Sequence, residues 1–454
     1  MSAPTDLVKV GTNTPKPVVD TMRKPSMVSP GELVKIMAEN TLQDDPRDKR
    51  IEHSTKLVKA YLLKNEPEFV RVMEFRDRVG FDLSLTKFTN LIVFQGWTQN
   101  KEKGDAFFKE QREKADNTDE AGEQRFFVMM QQIAEEMHRA TGALSAHGRE
   151  IKVLDICMAP GGYTAAVLKL HPNAKAFAIT LPKEQGGHPL HISKERLAGL
   201  QLLDVTMLAA EYTNQPIPQK HPEREKFLAV RPFKFHSFDL VFCDGMVLRT
   251  QKRESHREST EVTRLACSQL ILAMQRIKAG GTLIMLLHKI DSFGAANILY
   301  TFSKFANVQV FKPRKKHATR SSFYMIATHV RPDSEPARVA VGEWKEDWWK
   351  ATFGGEAGTG EPKDDPPESV VLRILEDFGD KLMEMGRPVW RIQADALSKT
   401  EYAGDGAAML SEGSVGSPGP VRPSLWSRLK ENAPPRRSED PASPQPLDKV
   451  YEGI

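Results

Sequence analysis

Apolar residues recur along this chain in two rhythms, and the switch between them divides it. From Gly31 to about Lys64 the spacing is helical, with Leu33, Ile36 and Met37 and later Leu57 and Tyr61 on repeating faces. Residues 66–104 fit neither rhythm, since Phe81 to Leu85 alternates while Leu91 to Phe94 is a short apolar run. Glu123 to Thr141 reads as a firmer helix. Phe126, Met130, Ile133 and Met137 fall three to four residues apart, and Gly142 can cap the end. Its methionines are core filler rather than a cofactor box.

After that helix the rhythm changes to strands alternating with helices. Strands are expected at 151–156, 175–181, 200–203, 238–243, 282–288, 307–312 and 322–329. Helices are expected at about 163–170, 193–199, 206–211, 259–278 and 293–305. The best of these carries Val262, Ala266, Leu270, Met274 and Ile277 on one face and ends at Gly280 and Gly281. Such alternation predicts an α/β fold, a mostly parallel, doubly wound sheet of seven strands covered on both faces. The connection from Phe311 to Phe323 is too short for a helix, so it predicts a hairpin and one antiparallel strand at the end of the sheet.

Outside this core the pattern weakens. Residues 1–30 show no periodicity and read as a disordered lead-in, and 31–104 as a helical extension. The stretch 213–236 reads as a surface insertion. Beyond Val330, a short helix is expected around Trp344 to Trp349, a linker at 353–369 and a helix at about 369–386, together a C-terminal extension over 331–400. Residues 401–454 are dominated by Gly, Ser and Pro and read as a disordered tail.

Composition narrows the class without naming a function. Of 454 residues 40% are hydrophobic, enough for a buried core. A net charge of +4 is too small to announce a nucleic-acid binder, so local clusters must carry that argument. The three cysteines, Cys157, Cys243 and Cys267, form no close pair, which favours a reducing compartment and speaks against a zinc site. No apolar run approaches about 18 residues, so no membrane segment is expected, and the chain reads as intracellular, cytoplasmic or nuclear.

The chemistry centres on Val153 to Thr164. An apolar strand ends in Asp155, Pro160, Gly161 and Gly162 make a tight turn, and a helix starts near Tyr163. A strand, a glycine loop and a helix N-terminus together make a site for a nucleotide-like ligand. Asp155 argues against a pyrophosphate and suits a ligand with a positive end, such as the amino group of S-adenosylmethionine. A second apolar strand delivers Asp244 to its end, with Gly245 turning the chain. A third, from Gly280 to Ile290, delivers Lys289, which facing the same crevice would be partly desolvated and suited to proton handling. Asp204 can read an adenine amino group or cap a helix before Thr206. Two basic clusters flank the expected mouth: Arg249, Lys252, Arg253 and Arg257, then Lys312, Arg314, Lys315, Lys316 and Arg320. Phosphates of a polynucleotide could run past both. His188 and His191 have no partner at ligand spacing, so no metal is expected.

With these markers in order, residues 105–330 resemble the FtsJ-like family of S-adenosylmethionine-dependent RNA 2′-O-methyltransferases, most specifically over Asp155 to Tyr163. The resemblance implies a Rossmann-like methyltransferase domain, S-adenosylmethionine as cofactor and RNA as substrate. Gly161, Gly162 and Tyr163 would contact the cofactor, Asp204 the adenine, and Asp244 would serve both cofactor and catalysis. Of the family's Lys-Asp-Lys-Glu tetrad, Asp244 matches the second member and Lys289 the third. Lys109 and Lys114 are candidates for the first, with Lys114 preferred. Two positions depart from the pattern: Thr180 stands where an acid usually holds the ribose, and Ser322 where the closing glutamate belongs. A serine supplies no charge. The reading is therefore an RNA 2′-O-methyltransferase, with a catalytically impaired cofactor- and RNA-binding protein, or a methyltransferase for a non-RNA substrate, as alternatives.

Overall fold

Among the described residues seven stretches pair into one sheet, and all but the third carry β-branched or aromatic residues. They are β1 (Lys152–Ile156), β2 (Lys175–Thr180), β3 (Gly199–Leu202), β4 (Phe238–Cys243), β5 (Ile277–His288), β6 (Asn307–Phe311) and β7 (Ser322–Thr328). The computed structural model describes residues 52–76, 101–116, 119–145, 150–248, 251 and 253–403. The runs at Phe81 and Leu91, Arg249, Lys252, the segment 1–30 and nearly all of 401–454 lie outside those residues.

The strand order is β3-β2-β1-β4-β5-β7-β6. β1 lies parallel to β2 and β4, and β2–β3 and β4–β5 are also parallel, whereas β7 runs antiparallel to both β5 and β6. The antiparallel strand expected at the sheet's end therefore sits one place inside the edge. The crossover from β5 to β6 skips a position, and the short hairpin folds back into the gap. Asp155 pairs with Ala178 on one side and Phe242 on the other, which puts the glycine loop at the carboxyl edge of the sheet's centre.

Ten α-helices accompany the sheet among the described residues: α1 (His53–Asn65), α2 (Pro67–Arg76), α3 (Lys101–Asp116), α4 (Glu120–Thr141), α5 (Gly162–Leu170), α6 (Ala209–Tyr212), α7 (Glu261–Arg276), α8 (Phe293–Ser303), α9 (Glu335–Phe353) and α10 (Glu368–Leu397). α4 has both expected stops. The Asp119 side chain accepts from the Gly122 amide at 2.7 Å, and Gly142 ends it in the left-handed region. Val153, Leu240, Phe242 and Ile284 face α4 and α5, while Leu154, Ile156, Val241 and Leu283 belong to the opposite core with α1, α2, α7, α8, α9 and α10. The central strands are thus apolar on both faces because both faces are covered.

Several expected elements change. The helix expected at 193–199 is only a 3-10 turn at Lys194–Arg196, and 206–211 divides into a turn at Val205–Met207 and the short α6. Val262, assigned to the buried face of α7, is 67% exposed, because the buried face instead carries Glu261, Arg264, Ser268 and Gln269. The stretch 213–236 is more than a surface insertion: His221 and Glu223 are buried against the rest of the domain. The short helix at Trp344 is a 19-residue one, and the helix expected at 369–386 runs 30 residues to Leu397 with Pro388 inside it. At its far end Tyr402 is buried and packs on Phe107 and Phe108 of α3.

Candidate active site

Asp155, one residue before the end of β1, is 1% exposed. One oxygen accepts from the Thr164 hydroxyl at 2.6 Å, which ties the strand end to the first turn of α5. The other, Oδ1, is buried without a hydrogen-bond partner. Burial pushes the carboxyl up to about 7, against the hydrogen bonds from Thr164. The chain then turns through Cys157, itself left-handed at φ 67°. The Met158 amide donates to the Ile179 carbonyl at 3.0 Å and the Ala159 amide to the Thr180 hydroxyl at 3.2 Å. Thr180 is thus buried and holds the loop from below.

The two glycines do different work. Gly161 sits at φ 100°, a conformation that L side chains rarely adopt. Gly162 has an ordinary backbone, but a Cβ on it would lie 2.4 Å from Met130 Cβ and 2.5 Å from the Phe127 carbonyl oxygen. Its bareness lets α4 press onto α5. Tyr163 is also a packing residue here: it is buried, stacks on Phe242 with centroids 5.6 Å apart, and its hydroxyl bonds the Tyr324 hydroxyl.

Asp244 follows the next strand over. It is half-buried, and its Oδ1 is shut away without a partner, like that of Asp155. Burial, followed by the Asp155 charge, raises its carboxyl well above the ordinary range. The turn after it depends on Gly245, where a Cβ would strike Cys157 Sγ at 2.6 Å. Gln269 of α7 accepts from the Gly245 amide at 2.8 Å and donates to its carbonyl at 3.1 Å. Sequence reasoning missed Gln269. Its only signal was an amide group on an otherwise apolar run of α7. Between the strand ends lies Cys157, whose thiol is pushed up by burial and by the charges of Asp204, Asp155 and Asp244. Three carboxylates therefore converge on one small region.

Asp204 is the most engaged of the three. It accepts from the Thr206 amide and hydroxyl at 2.9 and 2.7 Å, the capping alternative, and from Arg257 at 3.1 Å. Arg257 is buried and also bonds Glu261 at 2.6 Å and approaches Glu223 at 3.6 Å. It belongs to the interior, not to a phosphate track. Arg253 is half-buried and donates to the Leu248 carbonyl at 3.0 Å.

Lys289 directly follows β5 in the left-handed region at φ 48°, and the residue is exposed rather than partly desolvated. Its amide donates to the Ser321 carbonyl at 2.9 Å. Ser322 pairs with His288 across β5–β7 and is buried. The second basic cluster divides into one buried member and four exposed ones. Lys312 is buried and donates to the carbonyls of His317, Arg320 and Ser322, so it staples the hairpin loop; burial and the Arg320 charge push its ammonium down to about 7. Arg314, Lys315, Lys316 and Arg320 are exposed. The first three line a groove of about 650 Å³ with Glu135, Glu136 and Arg139 of α4. Lys109 is exposed on α3 and approaches Glu113 at 3.8 Å, and Lys114 follows later on the same helix. Among the described residues no group of three or more His, Cys, Asp or Glu side chains could hold a metal ion. No described helix is long and apolar enough to cross a membrane.

Residues 130–330 match the model of the FtsJ-like methyltransferases. That segment is FtsJ-like. No curated protein matches the chain. Among solved structures, a protein assigned as a ribosomal RNA methyltransferase from Plasmodium falciparum is 16% identical, covering 44% of this chain and 96% of its own at TM-score 0.29. An rRNA methylase from Streptococcus thermophilus is 13% identical over 43% of this chain and 96% of its own, at TM-score 0.27. The FtsJ-like segment begins within α4 and ends with Val330 after β7, so α1, α2, α3, α9 and α10 lie outside it.

Proposed function

We propose that this methyltransferase moves a methyl group from S-adenosylmethionine to a ribose 2′-hydroxyl of RNA. The observation that carries the reading is the pair of buried, partnerless acceptors, Asp155 Oδ1 and Asp244 Oδ1, at the ends of adjacent strands. A buried acceptor without a donor is costly, by about 1–3 kcal/mol. A ligand with an ammonium group and hydroxyls would supply donors to both. The residues therefore fit the cofactor, and Gly161 lets it approach the α5 terminus. When bound, the cofactor supplies an activated methyl on a sulfonium.

The protein's own part is then alignment and proton handling. Asp244, with a raised carboxyl, is suited to accept a hydrogen bond or a proton from an incoming hydroxyl. Lys289, exposed at the end of the neighbouring strand, orients that hydroxyl and offers a cation to the adjacent phosphate. Arg320, Lys315 and Lys316 extend the positive surface away from it. Ser322 cannot add the negative charge that the family pattern has there.

Incubation with radiolabelled cofactor and total RNA, followed by nucleoside analysis, tests the reading. Lys289→Ala is expected to abolish 2′-O-methylation while cofactor affinity stays within a few-fold. A native protein that binds cofactor and RNA without transfer would instead support the impaired-enzyme alternative. Transfer with no salt-dependent RNA affinity would favour a non-RNA substrate.

A further inference from the structure

The turn that carries Lys289 is held from outside the FtsJ-like segment. Arg76, the last residue of α2, donates to both oxygens of Asp291, at 2.9 and 2.5 Å, and Asp291 is wholly buried. Burial alone would raise that carboxyl, but the Arg76 charge and hydrogen bonds bring it below the ordinary range. Thr55 of α1 accepts from the Phe293 amide at 3.1 Å, at the start of α8. From the other flank, buried Gln393 of α10 donates to the Thr319 carbonyl at 3.2 Å and approaches the Ser321 hydroxyl at 3.1 Å. Ser321 in turn accepts from the Lys289 amide, and the Lys289 carbonyl accepts from Ser292 at 2.8 Å. A lysine in the left-handed region is strained, and such a conformation persists only where its surroundings over-determine it. Here those surroundings come from both ends of the chain.

We propose that α1, α2 and α10 form a clamp that sets the conformation of the Lys289 turn, with Arg76 and Gln393 as positioning residues for methyl transfer. Neither residue touches a reacting atom. They act through Asp291 and Ser321 on the direction in which Lys289 leaves the sheet. The appended helices are in this sense part of the catalytic edge, and an isolated FtsJ-like segment lacks the means to hold it.

The inference uses the RNA-methylation reading only for its activity measurement, so the test has a second readout. In the full-length chain, Arg76→Gln, Gln393→Leu and the conservative Arg76→Lys are compared by kcat and KM for RNA, cofactor affinity, and hydrogen exchange of the 286–294 region. Arg76→Gln is expected to lower kcat about tenfold or more, with KM and cofactor affinity within about threefold. Amides of residues 289–292 should exchange at least about tenfold faster while β1 and β4 stay protected. Gln393→Leu should give the same pattern more weakly, and Arg76→Lys should recover part of both effects. Unchanged exchange in both non-conservative variants overturns the clamp. So does faster exchange with kcat within twofold of native, or a proportional fall in kcat, cofactor affinity and β1–β4 protection. If the native protein methylates no RNA, the RNA reading fails, and the exchange comparison alone decides the clamp.

Discussion

Around Asp155 the site is assembled from residues close in sequence, and around Lys289 from residues far apart. Asp155 is anchored by Thr164, nine positions on. The Lys289 turn is held by contacts that span 215 residues from Arg76 to Asp291, 238 from Thr55 to Phe293 and 72 from Gln393 to Ser321. A cofactor site can be written into one strand, one loop and one helix start because its ligand is fixed in shape and needs only backbone approach and a few acceptors. The edge proposed to meet the substrate instead carries a turn held by contacts from added helices. The two halves should therefore fail differently when perturbed.

The largest difference is expected at Gly162. An added methyl group at Gly162→Ala would meet the Phe127 carbonyl oxygen at 2.5 Å, an atom of a helix backbone that cannot swing aside. Overpacking of this kind costs on the order of 1–3 kcal/mol, and here it also displaces the first turn of α5. Thermal unfolding should register the loss of stability and equilibrium dialysis a cofactor affinity at least about tenfold weaker, the equivalent of 1.4 kcal/mol. Native-like affinity in this variant would mean that the glycine loop is less locally determined than its geometry implies.

The same contrast explains what could be read from the sequence. The strand–loop–helix of Asp155 to Tyr163, the strand ends at Asp244 and Lys289 and the β/α alternation rest on local pattern, and all occupy the carboxyl edge of one sheet. Periodicity cannot say which buried partner a polar residue finds. Arg257 and Lys312 look like the other basic residues of their clusters in the sequence, yet one lies among Asp204, Glu223 and Glu261 and the other under three carbonyls. Gln269, Arg76 and Gln393 carried no motif at all. The position of β7 inside the edge was equally hidden, because a hairpin fixes which strands are antiparallel but not on which side the pair docks.

A pH titration sharpens the comparison next. The Asp155 carboxyl moves from an ordinary 3.8 to about 7 on folding. Between those values the folded chain binds a proton that the unfolded chain has lost, so this group makes the ligand-free protein less stable as pH rises across the window. A cationic ligand requires the ionised form. Cofactor affinity should therefore rise with pH up to about 7 and be roughly tenfold weaker one pH unit below that midpoint. Isothermal titration calorimetry at several pH values checks this, and Asp155→Asn should bind weakly at all of them with the dependence removed. A flat profile in the native protein would remove Asp155 as the counter-charge. On the other half, the depressed Asp291 carboxyl has the opposite sign: its stabilisation is present above the ordinary value near 3.8 and is lost only as pH falls below it.

The smallest effect is expected where the cluster after β6 is exposed. Lys315 and Lys316 share their groove with Glu135 and Glu136, so the local field is mixed and each lysine contributes little alone. Replacing both with glutamine should weaken RNA binding only about threefold to tenfold, roughly uniformly across sequences, and flatten the salt dependence by about one unit of slope per lost phosphate contact. Filter binding at several salt concentrations measures both quantities. Glu135→Gln with Glu136→Gln should shift affinity the other way if RNA passes along this groove. Lys312→Gln separates the two kinds of lysine: its loss leaves buried carbonyls short of donors and should lower stability while the salt slope stays unchanged. Should the Lys315 and Lys316 replacements leave the slope untouched, the RNA path past this domain would narrow to Lys289 and Arg320, and the substrate half would depend still more heavily on the turn held by α2 and α10.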